Sequence, residues 1–146
     1  MLEMEINCPI LDPVLHIKAG DKTVVETNAF SLVKIAGEIS WPIYANTAMP
    51  ALVWTIPTAE QSVFVFGVKY NASTGANEYI TVKSDNFLET QKLKNTDIPV
   101  LWSEYALLGY VLVINDTGVN FVWGTTHLDA SWVATIFIQN FGFVWY

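Results

Sequence analysis

His127, Asp129 and Ser131 lie within five positions of one another and carry the side chains of a hydrolytic triad: a hydroxyl nucleophile, an imidazole base and a carboxylate to orient it. Triad members ordinarily come from separate loops and are recognised by their convergence in space, so three of them crowded into one short segment argue for something else. The segment Gly124-Thr125-Thr126-His127-Leu128-Asp129 reads instead as a turn in which Thr and Asp side chains satisfy nearby backbone groups. Cys8 could form a thiol–imidazole pair with His16 or His127. A small buried thiol, or a residue of an N-terminal arm, is the simpler account of it. No catalytic residue is assigned, and an enzyme is not expected.

Metal and cofactor chemistry find little to work with. Two histidines, one cysteine and no Asp-x-Asp-x-Asp-Gly run support neither a zinc site nor an EF-hand. Asp116 and Asp129 could share a calcium ion if their loops meet at one end of the domain, although calcium needs several oxygens together. No phosphate-binding glycine pattern is present, so no cofactor is expected. Asn71-Ala72-Ser73 and Asn115-Asp116-Thr117 match the glycosylation acceptor pattern but serve here only to mark surface turns. The six tryptophans have more functional reach, because indoles on loops stack on sugar rings or anchor interfaces whereas indoles on strands are usually core. Trp41, Trp102, Trp123 and Trp132 border turns and are candidates for interface or ligand-stacking contacts, with buried packing as the alternative for each. Trp54 and Trp145 sit in apolar runs and read as core or subunit contact. Phe64, Phe66, Tyr110, Phe143 and Trp145 are the aromatics expected on core or oligomer strands.

The elements that must position these residues are strands. The 146 residues fit one domain. Hydrophobic residues make up 52% of the chain and charged residues only 14%, against about 25% charged in soluble domains. That shortage of charge favours burying surface between subunits, so a homo-oligomer is expected. All seven basic residues are lysine and the net charge is -7, which disfavours nucleic acid as a partner. A single cysteine excludes an internal disulfide, the start Met1-Leu2-Glu3-Met4-Glu5 is acidic where a signal peptide is basic, and no apolar run reaches the roughly 20 residues of a membrane helix. The expectation is a chain made and folded in a cytoplasm, with no membrane partner.

Residues 1–20, with Pro9 and Pro13, read as an extended arm reaching a neighbour, ahead of a single β domain over 21–146. Within that domain Lys22 to Glu26 is a short strand, and Phe30 to Ile35 and Ile39 to Tyr44 form a hairpin in which Pro42 demotes the return strand to an edge or a bulge. Ala51 to Ile56 is a further strand. Ser62 to Tyr70 and Glu78 to Ser84 form the clearest hairpin around Asn71–Asn77. Asp85 to Leu93 is the single helical candidate, from the spacing of Phe87, Leu88 and Gln91. Leu107 to Ile114 is apolar at both parities and so covered on both faces, Val119 to Trp123 pairs back onto it, and Val133 to Tyr146 ends the domain as a docked strand. Many short strands with at most one short helix predict an all-β antiparallel sandwich or jelly-roll-like fold.

Three segments taken in order carry a resemblance: Thr23 to Ile39; Met49-Pro50-Ala51-Leu52 with Val63-Phe64-Val65-Phe66; and Leu108 to Val113 with Gly124 to Asp129. Together, over roughly residues 20–138, they resemble a recurrent group of tailed-bacteriophage virion proteins. The chain departs from that group in its richness in Trp and in its aromatic tail. The resemblance implies a non-catalytic virion structural protein, such as a capsid decoration, head fibre or tail accessory subunit. It also implies a virion location, other virion proteins as partners and, for fibre-like members, a trimer. A carbohydrate-binding β-sandwich acting as a receptor-binding module, with glycans as partners, is the alternative.

Overall fold

Residues 15–28, 31–35, 39–43, 46–102 and 104–139 are described by the structure, a computed structural model. Its organising strand is β6, Glu60–Asn71, written in Val, Phe and Tyr and long enough to pair along both edges. On one side it pairs antiparallel with β9, Ala106–Asn115, which in turn pairs with β11, Val133–Gln139. On the other side it pairs with β7, Ala76–Lys83, and at its start with the two-residue β8, Phe87–Leu88. The result is a five-stranded antiparallel sheet in the order β11-β9-β6-β7, with β8 beside β6. The β6–β7 turn closes because the Asn71 side chain accepts the backbone N–H of Ser73 at 2.9 Å, while Gly75 takes a left-handed φ of 73° and donates to the Asn71 carbonyl at 2.7 Å.

Smaller pairs complete the domain: β1 (Leu15–Ile17) with β2 (Val25–Thr27), β5 (Thr55–Ile56) with β10 (Phe121–Val122), and β3 (Ser31–Ile35) with β4 (Ile39–Ile43). The first two pairs cover the inner face of the large sheet. Phe64, Phe66 and Val68 of β6 and Val111 and Val113 of β9 meet Leu15, Val25, Met49, Ile56, Phe121, Trp123 and Leu128 in one core. At its centre the Trp123 indole stacks on Phe64, with centroids 3.9 Å apart and planes at 21°, while Phe66 and Phe121 lie tilted against it. This is an all-β, sandwich-like antiparallel fold, as the spacing of short strands predicts.

Several boundaries differ from expectation, each for a physical reason. Leu15 is buried in the core and His16 and Ile17 pair with β2, so the last part of the segment read as an arm, 1–20, belongs to the β domain; residues 1–14 lie outside the described residues. Asp85 to Leu93 is no helix. It holds β8 and a turn, and the helical piece is a 3-10 turn at Asn95–Asp97, where the Lys94 backbone N–H donates to the Asp97 carboxylate at 2.8 Å. Local spacing is overridden by distant polar partners. Gln61 Nε2 donates to the carbonyls of Leu88 and Gln91, at 2.8 Å each, and Asn86 is held by Trp54, Ser62 and Thr55. The strand expected from Ala51 shrinks to Thr55–Ile56. Residues 119–123 do not pair with β9. The Asn115 amide donates to the carbonyls of Ile56 (2.9 Å) and Val119 (2.8 Å), which diverts the chain across the core so that β10 pairs with β5.

The two-faced apolar character of Leu107 to Ile114 has a cause that alternation cannot express. The register of β9 against β6 slips between Phe66 and Gly67: Phe66 faces Gly109 and Gly67 faces Leu107, leaving Leu108 without a partner. This β-bulge changes the parity that points inward. Ala106 and Leu108 face the core before it, and Val111, Val113 and Asn115 do so after it. Gly109 lies where a Cβ would meet Leu15 Cδ1 at 3.1 Å, so the bulge is also where β1 closes onto the sheet. The terminal strand is described only as far as Gln139, and the docked aromatic end expected over 141–146, with Phe143 and Trp145, lies outside the described residues.

Candidate functional site

Polar groups able to do chemistry are scattered by this fold. His127 Nδ1 and Asp129 Oδ1 stand 3.9 Å apart, both exposed, on the connection between β10 and β11. In the same connection Thr126 Oγ1 accepts the backbone N–H of Val122 at 2.9 Å, a turn-stabilising bond of the kind expected there. His16 is committed elsewhere. Its Nε2 lies 2.9 Å from Glu26 Oε2, directly across the β1–β2 ladder, and Asn46 donates to the same oxygen at 3.2 Å. Cys8 lies outside the described residues.

The two aspartates considered for calcium have different companions. Asp129 faces His127, whereas Asp116 lies beside Glu89. Desolvation and that neighbouring carboxylate together raise the Glu89 pKa above the usual glutamate value. Asp21, in the β1–β2 turn, is shifted the other way because its carboxylate accepts both the hydroxyl (2.7 Å) and the backbone N–H (3.1 Å) of Thr23. Among the described residues no group of three or more His, Cys, Asp or Glu side chains is placed to hold a metal ion, and no helix is long and apolar enough to cross a membrane.

The tryptophans separate into distinct roles. Trp123, a candidate for exposed contact, is buried at the centre of the core, since β10 delivers it onto Phe64. Trp132 is half-buried against the same core. Trp54 packs at the core edge, where its Nε1 donates to Asn86 Oδ1 (2.9 Å) and Ser62 Oγ (3.2 Å) and Lys83 Nζ sits 3.4 Å above its ring. Trp41 lies on β4 opposite Val33, its side chain outside the described residues. Trp102 alone of the four turn-bordering candidates is seen to stand out from the surface, 66% exposed, beside Tyr105.

A second surface is missed by single-residue reading because it is assembled by register. Tyr110, Leu112 and Ile114 of β9 lie directly opposite Ile138, Ile136 and Ala134 of β11, and all six point to the outer face of the sheet. Ile136 and Ile138 are 45% and 43% exposed, while Tyr110, Leu112 and Ile114 are half-buried. The strip bears no charge, and β11, the edge strand, contains neither a charged residue nor a proline, the devices that usually blunt such edges. Phe64 and Phe66, by contrast, point inward and are fully buried.

An open cleft of about 310 Å³ lies between Lys83–Phe87 and Thr96–Pro99, with Lys83, Asp85 and Asp97 at its walls and no convergence of nucleophile and base. No family model, curated protein or solved structure matches the chain.

Proposed function

We propose that this chain is a non-catalytic structural subunit of a bacteriophage virion, of the capsid-decoration or fibre type, that assembles by covering the outer strip of β9 and β11. The observation that carries the reading is that strip: six uncharged residues, four of them large and aliphatic, at what is, among the described residues, a sheet edge without charge or proline. An apolar edge of this kind favours a protein partner that removes it from water and completes its backbone hydrogen bonds. The resemblance of the three segments to virion proteins supplies the setting, and the low charge of the chain agrees with surface buried in an assembly. A carbohydrate-binding module is the second reading, and the exposed indole of Trp102 favours it.

The native mass of the purified chain at micromolar concentration, beside that of the double variant Ile136→Asp/Ile138→Asp, tests the proposal. The wild type should run as a trimer and the variant as a folded monomer. A wild-type chain that stays monomeric, or a variant that keeps the full oligomeric mass, would remove the strip from the assembly.

A further inference from the structure

The segment from Leu101 to Tyr105 is built to display an aromatic ring. Leu101 is seated over Gly67, where a Cβ would come within 2.6 Å of Leu101 Cδ1 and 3.4 Å of Tyr105 Cβ, so the absence of a side chain on β6 makes the seat. From there the chain turns, Tyr105 N donating to the Trp102 carbonyl at 3.0 Å, and Trp102 is carried outward. The Trp102 and Tyr105 rings stand with centroids 6.2 Å apart and planes at 49°, forming a corner rather than a flat stack. Lys69 Nζ lies 5.1 Å from the Tyr105 centroid, 3.8 Å from Glu104 Oε2 and 3.7 Å from Glu78 Oε1. An exposed indole, a phenol ring at an angle to it and a short ion-paired array of donors and acceptors therefore form one continuous surface.

We propose that the Trp102–Tyr105 corner, with Glu104 and Lys69 at its rim, binds the terminal pyranose ring of a neutral saccharide. A pyranose offers an apolar C–H face, which stacks on an indole, and a periphery of hydroxyls, which both donate and accept; carboxylate and ammonium groups beside the ring match that periphery. A protein hot spot is instead ringed by contacts that exclude water, and here charged groups, Lys69 and its partner Glu104, stand at the Tyr105 side of the corner. The angled rings grip one sugar unit rather than a run of chain. Charge sets the sign of the ligand: Lys69 is shared by two carboxylates, and the whole chain carries -7, so an anionic sugar meets net repulsion. The proposal deepens the carbohydrate-binding reading and rests on it.

The six indole N–H resonances of the labelled full-length chain provide the test, titrated with methyl β-D-glucopyranoside, methyl β-D-galactopyranoside and, as the anionic counterpart, N-acetylneuraminic acid. One of the neutral glycosides should shift the Trp102 signal saturably, with a dissociation constant on the order of 1–10 mM. Trp102→Ala should weaken that binding by about tenfold or more, and Glu104→Gln by roughly threefold, while both variants keep the wild-type melting temperature because neither side chain is part of the core. Binding that Trp102→Ala leaves unchanged overturns this site and leaves the carbohydrate reading standing. No saturable shift with any of the three sugars at about 50 mM overturns both. A Trp102→Ala chain that loses oligomeric mass assigns the indole to a subunit contact and also overturns the site. Should that variant not fold, Trp102→Tyr and Glu104→Gln carry the same comparison.

Discussion

The outer face of the large sheet is apolar over both of its halves, yet the two are treated differently. Over β6, Val63 and Val65 are buried almost completely, and the chain between β8 and β9 crosses there, seating Leu101 and Tyr105 on Gly67 and taking the Gln61 side chain at the carbonyl of Gln91. Over β9 and β11, no comparable crossing among the described residues brings Ile136 and Ile138 below 45% and 43% exposure. Branched aliphatic residues lie on both sides, and the cover over β6 comes from where one irregular connection passes. An apolar alternation in a strand thus states a need for cover without naming what supplies it, whether the same chain or another molecule.

One substitution applied to both halves breaks the comparison most strongly. Val65→Asp places a carboxylate where no water and no cation reach it and should destabilise the fold by more than about 3 kcal/mol. Ile138→Asp, on the bare half, should cost the isolated subunit at most about 1 kcal/mol. Urea denaturation of the two variants reads the difference, and equal losses would show that the two halves are covered alike. A second variant sharpens the role of the crossing segment. Gly67→Ala pushes a methyl group against Leu101 and the Ala106 carbonyl, 3.0 Å away, and overpacking of this kind costs about 1–3 kcal/mol. The same denaturation measurement checks it, and an unchanged midpoint would mean that the segment moves aside freely.

The smallest effect concerns pH at the edge of the covered half. Glu89 has a raised folded-state pKa, so the folded chain holds this proton more tightly than the unfolded one. The stability it contributes is therefore complete below the usual glutamate pKa and is lost as pH rises through the raised folded value. Glu89→Gln should remove that loss, giving a slightly higher melting temperature than wild type at pH 7 and none of the gain near pH 4. An equal difference at both pH values would trace the effect to something other than the titration of Glu89.

Strands long enough to show an alternation were legible in the sequence, and so were turns made by their own residues. β6, β7 and the Asn71 turn follow from side chains that act within a few positions, and Pro42 lies, as read, on a two-stranded pair rather than inside the large sheet. What was not legible depends on bonds made across the chain. Phe87, Leu88 and Gln91 carry helical spacing, but Gln61 and Trp54, roughly 30 positions away, hold that segment's polar groups in a non-helical course. Trp123 borders a turn in sequence and is buried because Asn115 redirects the strand before it. Among the surfaces, Trp102 could be named as one of four candidates, whereas the six-residue strip required the β9–β11 register and could not be found residue by residue.

The slip at Leu108 has a consequence for how β9 may vary. Before it the inward residues are even-numbered and after it they are odd-numbered, so the strand is written in two phases joined at one position. Deleting Leu108 would leave Leu107 opposite Gly67 and Gly109 opposite Phe66 in an unbroken ladder, so Tyr110, Leu112 and Ile114 would stay outside and Val111, Val113 and Asn115 inside. A deletion further along, at Leu112 for instance, is no local lesion, because it transposes every residue that follows to the opposite face. The apolar strip offered to a partner and the packing that holds the subunit together thus share one phase, and in lineages of this chain lengths should change in the turns on either side of β9, or at this one slip, but not elsewhere within it.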